Sequence, residues 1–154
     1  MSLFIEKNLR TPVVDMAIEY RPRFTPNGPG RAFYSFSKGM APPCVQEIKS
    51  IVEEFYGVQD APQEPIFKDF IGFITEGGAV HEHSDPNVGD LVHTRFNVLL
   101  SKPESGGEPV ISGKIIQVEE GGTWRCNAGL EKHSCTKVVG AKPRIVLSFG
   151  YLLK

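Results

Sequence analysis

Long apolar runs are missing from this 154-residue chain. No stretch approaches the roughly 18 apolar residues that a membrane-spanning helix needs, so a membrane is not an expected partner. The opening residues, MSLFIEKNLR, also lack the continuous apolar segment of a secretory signal, and the expected location is the cytoplasm. An excess of either charge is missing too. Lys and Arg number 17 against 18 Asp and Glu, a formal net charge of −1, so no field of the required sign exists to gather nucleic acid or an anionic membrane surface. A small molecule or a peptide is the expected partner. Cysteine is scarce: Cys44, Cys126 and Cys135 are odd in number and form no CxxC pair. That argues against a disulfide framework and a thiolate zinc site, and predicts reduced, structural thiols.

What remains is the material of one ordinary globular domain over residues 1–154, with 40% hydrophobic content. Residues 20–43 (YRPRFTPNGPGRAFYSFSKGMAPP) are crowded with Gly, Pro and Arg, which predicts irregular backbone with at most one short strand. The segment reads as an arm packed on the domain or as part of a substrate entrance, with Arg21 and Arg23 as candidate guides. After Pro42 and Pro43, the residues Val45, Ile48, Val52 and Phe55 recur at spacings of three and four, and Gly57 supplies a stop. This predicts a helix whose apolar stripe, Phe55 included, lies on a sheet.

Beyond it the apolar period falls to two. Strands are expected at 66–74, 79–85, 92–100, 110–111, 115–118, 123–127 and 143–152, separated by turn signals such as Gly77-Gly78, Gly106-Gly107 and Gly121-Gly122. The expected fold is mainly β, a jelly roll or double-stranded β-helix built from residues 66–154. Residues 1–65 would supply an arm and the N-terminal helix on the outer face of the major sheet.

In the strand at 79–85, Ala79, His81, His83 and Asp85 share a face, so His83 and Asp85 can bind one ion together. A third ligand must come from far along the chain, and His133 is the well-placed downstream histidine. Two histidines and one carboxylate on a triangular face leave positions open, which suits iron(II) enzymes that bind oxygen and a co-substrate. The neighbouring strands add to this. In one, His93, Arg95, Asn97 and Leu99 oppose Thr94, Phe96, Val98 and Leu100; in another, Arg144, Val146, Ser148 and Gly150 oppose Ile145, Leu147, Phe149 and Tyr151. If the apolar rows lie under the helix, Arg95 and Arg144 point inside, where an unpaired charge costs several kcal/mol. An anionic ligand is the simplest compensation. The alternatives are solvated edge strands, or pairing with Glu76, Glu82 or Asp90.

Two other readings remain open on these residues. His81 and His83 form the HxH pair of a cupin-like metal site without a co-substrate, although Asn87 and Val88 stand where a cupin glutamate is expected. A non-catalytic jelly-roll interaction module that keeps the pattern is the other. His93 is read as an ordinary polar strand residue or one that orients a ligand, and Trp124 as core packing or a substrate-lining residue.

Taken together, His83-Ser84-Asp85, His133, Arg144 and the segments RFNVLLSKPESGGEP and PRIVLSF resemble the iron(II)- and 2-oxoglutarate-dependent oxygenases, in particular the prolyl hydroxylase and aspartyl/asparaginyl β-hydroxylase branches. The resemblance covers about residues 66–152. It implies a dioxygenase that uses O2 and 2-oxoglutarate to hydroxylate an unactivated carbon, in a peptide side chain or a free amino acid. It also implies that His83, Asp85 and His133 hold Fe(II), that Arg144 grips the distal carboxylate of 2-oxoglutarate with Ser148 in support, and that Arg95 reaches the metal-proximal carboxylate. Asn97 stands where the β-hydroxylase branch has a histidine. Asp85 occupies the place a halide takes in related halogenases, which implies hydroxylation.

Overall fold

The computed structural model describes residues 2–36 and 40–154, and residues 37–39 of the Gly/Pro-rich segment lie outside the described residues. Two helices precede most of the sheet: α1 (Lys7–Tyr20) and α2 (Pro43–Tyr56). The strands are β1 (Thr25–Gly28), β2 (Arg31–Phe36), β3 (Asp69–Ile74), β4 (Val80–His83), β5 (Val92–Ser101), β6 (Pro109–Ile111), β7 (Lys114–Ile115), β8 (Thr123–Cys126), β9 (His133–Cys135) and β10 (Arg144–Leu153). They form a six-stranded sheet in the order β1-β2-β3-β10-β5-β8 and a four-stranded sheet in the order β4-β9-β6-β7. Every pairing is antiparallel.

The alternation along β5 and β10 decides how the molecule packs. Phe96, Val98 and Leu100 share one buried cluster with Ile145, Leu147, Phe149 and Tyr151, and that cluster also contains Val45, Ile48 and Val52 of α2. The opposite rows, with Arg95, Asn97, Arg144, Val146 and Ser148, face an internal cavity. A period of two therefore sorts one face of each strand to the helices and the other to the interior. α2 begins with Pro at its first position, where a missing N–H costs nothing, and ends at Gly57 in the left-handed conformation (φ 69°), whose N–H bonds the Glu53 carbonyl. No described helix is long and apolar enough to cross a membrane.

Three expectations change. α1 was not anticipated: Pro12 in its interior reads as a break, and its buried face combines Val13 and Ala17 with Arg10 instead of a clean apolar row. Arg10 lies over the Phe4 ring and 3.8 Å from Glu120, which keeps a cation on that face. The segment 20–43 contains a two-stranded hairpin, β1–β2, and β2 extends the large sheet beside β3. Arg21 and Arg23 lie over the rings of Phe73 and Tyr20. Finally, Phe55 is 39% exposed. Tyr56, one turn beyond Val52, continues the stripe instead, packing 4.5 Å from the Phe96 ring with its hydroxyl 2.9 Å from the Thr123 hydroxyl.

This packing predicts unequal costs along one helix. Ile48, fully buried, should lose about 2–5 kcal/mol on Ile48→Ala, since transfer and cavity costs add. Phe55→Ala should change stability by roughly 0.5 kcal/mol or less, as an exposed substitution. Urea unfolding midpoints of both variants check the contrast; comparable losses would place Phe55 on the sheet after all.

Candidate metal centre

β4 and β9 pair so that His83 and His133 are direct cross-strand partners, with ring centroids 4.3 Å apart. β9 was absent from the expected strands, because three residues, His133–Cys135, are too few to show a period. Asp85 follows the end of β4 and is held by its N–H, 2.8 Å from the Ala128 carbonyl. Its Oδ1 lies 3.5 Å from His83 Nε2 and its Oδ2 3.5 Å from His133 Nε2. One ligand atom from each of the three residues falls within 4.8 Å of the others.

The orientation of both rings has the same cause. His83 Nδ1 is 2.9 Å from the His81 carbonyl, and His133 Nδ1 is 2.9 Å from the Glu131 carbonyl. A carbonyl only accepts, so each Nδ1 carries a hydrogen and each Nε2 turns toward Asp85. Two imidazole nitrogens and one carboxylate converging in this way fit a divalent first-row metal, iron(II) among them. Bringing the groups together also shifts their protonation. Burial opposes ionisation of Asp85, yet its contacts with His133, His83 and His93 hold the carboxyl below its ordinary range. Burial likewise opposes charge on His133, but Asp85, the Cys126 thiol and the Glu131 carbonyl push its pKa up to about 10.

The two inward arginines are treated differently by their surroundings. A guanidinium has five N–H donors. For Arg95 all are taken: Nε by Ser148 Oγ at 2.7 Å, Nη1 by Glu64 Oε1 at 3.4 Å and His93 Nε2 at 3.0 Å, and Nη2 by the carbonyls of Lys68 and, at 3.4 Å, Ser148. The expectation that Arg95 reaches a ligand carboxylate thus meets a different arrangement, in which the protein itself saturates the group. Its strand partner is Gly150, where a Cβ would fall on the guanidinium. Ser148 passes its own hydrogen to Asn97 Oδ1 at 2.6 Å.

Arg144 is buried too, at 8% exposure, but its only protein acceptor among the described residues is the Gly107 carbonyl, 2.7 Å from Nε. No carboxylate pairs with it there, and it lies 5.9 Å from the Trp124 ring. Burial lowers its pKa, with Cys135 acting in the opposite direction. Neither Glu76, Glu82 nor Asp90 is a partner of either arginine among the described ion pairs.

A cavity of about 400 Å³ joins these parts. His83, Asp85, His133, Arg95, Asn97, Ser148 and Arg144 all line it. Trp124, Cys126 and Cys135 line it as well, so the tryptophan is a wall residue, and all three cysteines are free. His81 is exposed and contributes its carbonyl alone, which removes the second histidine of the cupin-like pattern from the cluster. The residue the sequence reading missed is Glu64. It is 1% exposed and accepts the N–H groups of Phe67 and Lys68 at 2.7 and 2.9 Å, and that of Ile66, besides Arg95. It sits in a segment with no periodicity, and its arginine lies 31 residues away, so no local pattern marks it.

No protein-family model matches the chain, and no curated protein matches it. Solved structures do. The chain is similar to the viral collagen prolyl hydroxylase vCPH from Paramecium Bursaria Chlorella virus-1, in its 2OG complex, with a TM-score of 0.73 and 15% identity, covering 100% of this chain and 95% of that one. It is similar to a Pseudomonas putida prolyl-4-hydroxylase, with a TM-score of 0.71 and 15% identity over 100% of this chain and 90% of that one. HygX from Streptomyces hygroscopicus, with nickel and 2-oxoglutarate bound, matches at a TM-score of 0.68 and 13% identity over 97% and 80%. The chain therefore shares its fold with the 2-oxoglutarate-dependent prolyl hydroxylases and with HygX.

Proposed function

We propose that the chain is an iron(II)- and 2-oxoglutarate-dependent oxygenase that hydroxylates an unactivated carbon in a peptide side chain or a free amino acid. On this reading residues 1–154 form one domain, its two sheets a double-stranded β-helix, working in the cytoplasm where its free thiols stay reduced. The observation that carries the proposal is Arg144. A buried guanidinium with one acceptor among the described residues shares a cavity with a His–Asp–His cluster, and a dicarboxylate that also reaches the metal is the ligand that satisfies both.

His83, Asp85 and His133 would hold the ion. When bound, iron(II) with O2 and 2-oxoglutarate supplies oxidative decarboxylation to succinate and CO2, with one oxygen atom delivered to the substrate. The chain's own residues do the rest. Arg144 receives the distal carboxylate through N–H groups that have no acceptor among the described residues, with the Trp124 ring 5.9 Å from its guanidinium carbon. Ser148 and Asn97 line the same cavity as Arg144 and the three ligands, and Arg95 keeps Ser148 in place. Ile74 and Val146 add apolar surface to the wall. Asn27, Arg31 and Phe33 bring the β1–β2 hairpin to the same cavity, and these side chains form the proposed substrate side.

Arg144→Leu should leave iron(II) affinity nearly intact and weaken 2-oxoglutarate by about 2–5 kcal/mol, the cost of truncating one partner of a buried charge pair. Arg144→Lys should recover only part, since a point charge cannot reproduce the guanidinium fork. Anaerobic titration of the iron–2-oxoglutarate charge-transfer band measures both, and unchanged 2-oxoglutarate binding in Arg144→Leu would sink the proposal. Arg95→Leu should behave otherwise, costing about 3–5 kcal/mol of folding stability because Glu64 is left charged and buried.

Metal uptake should also be pH-dependent. His133 binds a metal through Nε2 only after losing the proton that its pKa of about 10 retains at neutrality. Each ion bound near pH 7 should therefore release about one proton from this residue, and affinity should rise with pH until about pH 10. Proton release in weakly buffered cobalt(II) titrations checks the sign; pH-independent affinity between pH 6 and 9 would contradict it.

A further inference from the structure

His93 has no part in that account, yet it is fully buried between the metal ligands and the Arg95 cluster. Its Nδ1 is a buried nitrogen with no hydrogen-bond partner among the described residues. Its Nε2 is 3.0 Å from Arg95 Nη1. A guanidinium only donates, so Nε2 accepts, and the single proton of a neutral ring stands on Nδ1. Burial and the Arg95 charge lower its pKa, against the nearby Glu64 and Asp85 carboxylates. That N–H lies 4.0 Å from Asp85 Oδ2, the oxygen that is also 3.5 Å from His133 Nε2. The ring cannot easily turn away. Phe67 stacks on it with centroids 5.9 Å apart and planes at 17°, and its backbone N–H donates to Asn87 Oδ1 at 3.0 Å.

We propose that His93 is a positioning residue for the metal carboxylate: with its tautomer set by Arg95, its Nδ1–H donates to Asp85 and holds that carboxylate facing His83 and His133. A movement of about 1 Å by the carboxylate brings the pair to hydrogen-bond distance and satisfies a donor that is costly to leave unpaired. Glu64, Arg95, His93 and Asp85 then form one continuous line from the segment before β3 to the metal. The inference rests on the metal-binding reading of the His83/Asp85/His133 cluster and is independent of the co-substrate.

The test is cobalt(II) titration of the metal-free protein, followed by visible absorption, in the wild type and in His93→Asn, His93→Gln and His93→Phe. The amide nitrogen of Asn can stand near the place of Nδ1, whereas that of Gln stands near Nε2. His93→Gln and His93→Phe should weaken cobalt(II) binding about 10–100-fold, and His93→Asn should lose less. In an Asp85→Ala background, His93→Gln should have no further effect, because the carboxylate through which it acts is gone. Equal losses in Asn and Gln, unchanged affinity in Gln, or a full effect of His93→Gln in the Asp85→Ala background would each overturn the proposal. If His93→Phe does not fold, the order of Asn and Gln decides. A wild type that binds no cobalt(II) defeats the metal reading and this inference together, whereas wild-type binding with insensitive variants defeats only the inference.

Discussion

A guanidinium removed from water must find acceptors for its N–H groups, and that constraint organises the interior of this protein. Two arginines point inward from neighbouring strands, because the opposite faces of β5 and β10 are committed to the helices. Among the described residues, one has an acceptor for every N–H and the other has one acceptor in all. Arg95 draws in Glu64, His93, Ser148 and the Lys68 carbonyl, so it ties β5 to β10 and to the chain ahead of β3. Among the described residues Arg144 has a single carbonyl acceptor, with the Trp124 ring 5.9 Å away. Among the described residues, the number of acceptors around each cation distinguishes the two more clearly than their similar burial does.

The His83–Asp85–His133 cluster depends on a second constraint, the register of a short strand pair. β4 and β9 meet with His83 opposite His133, and the two rings are oriented alike by the carbonyls two residues earlier in the chain, of His81 within β4 and of Glu131 just before β9. Asp85 then lies just beyond the pair, close enough to both rings to trap a proton on His133. A shift of one residue in this register would turn one histidine to the other face. The cluster is thus a property of the small sheet, whereas the arginines belong to the large one, and the cavity is where the two meet.

The helices serve the site at a distance. α1 and α2 supply apolar rows that cover the outer face of the large sheet, which leaves the strands no choice but to place their polar rows inward. Polar links reinforce that cover, including Lys49 to Asp69 at 2.5 Å and the Tyr151 hydroxyl donating to Glu53 at 2.7 Å. Asp69 in turn accepts the Gly150 N–H at 3.3 Å. Gly150 is the residue across which Arg95 lies, so the outer layer and the inner cluster share a strand position.

Much of this was legible in the residue pattern. The period of two in 92–100 and 143–152 determined which side chains share a face, the spacing of Val45, Ile48 and Val52 determined α2, and HxD with a distant histidine marked the three residues that converge. Those features are local or rest on side-chain alternation, which sequence order preserves. What only the tertiary structure decided involves partners that order does not reveal. Glu64 meets Arg95 across 31 residues with no periodic signal around it, Tyr56 replaces Phe55 against the sheet because helix rotation is set by its contacts, and α1 forms despite Pro12 because it is packed. The roles of the two arginines belong to the same class: the sequence placed both inside, but counting acceptors around each requires the positions of carbonyls and carboxylates from other strands, and those exist only in the folded chain.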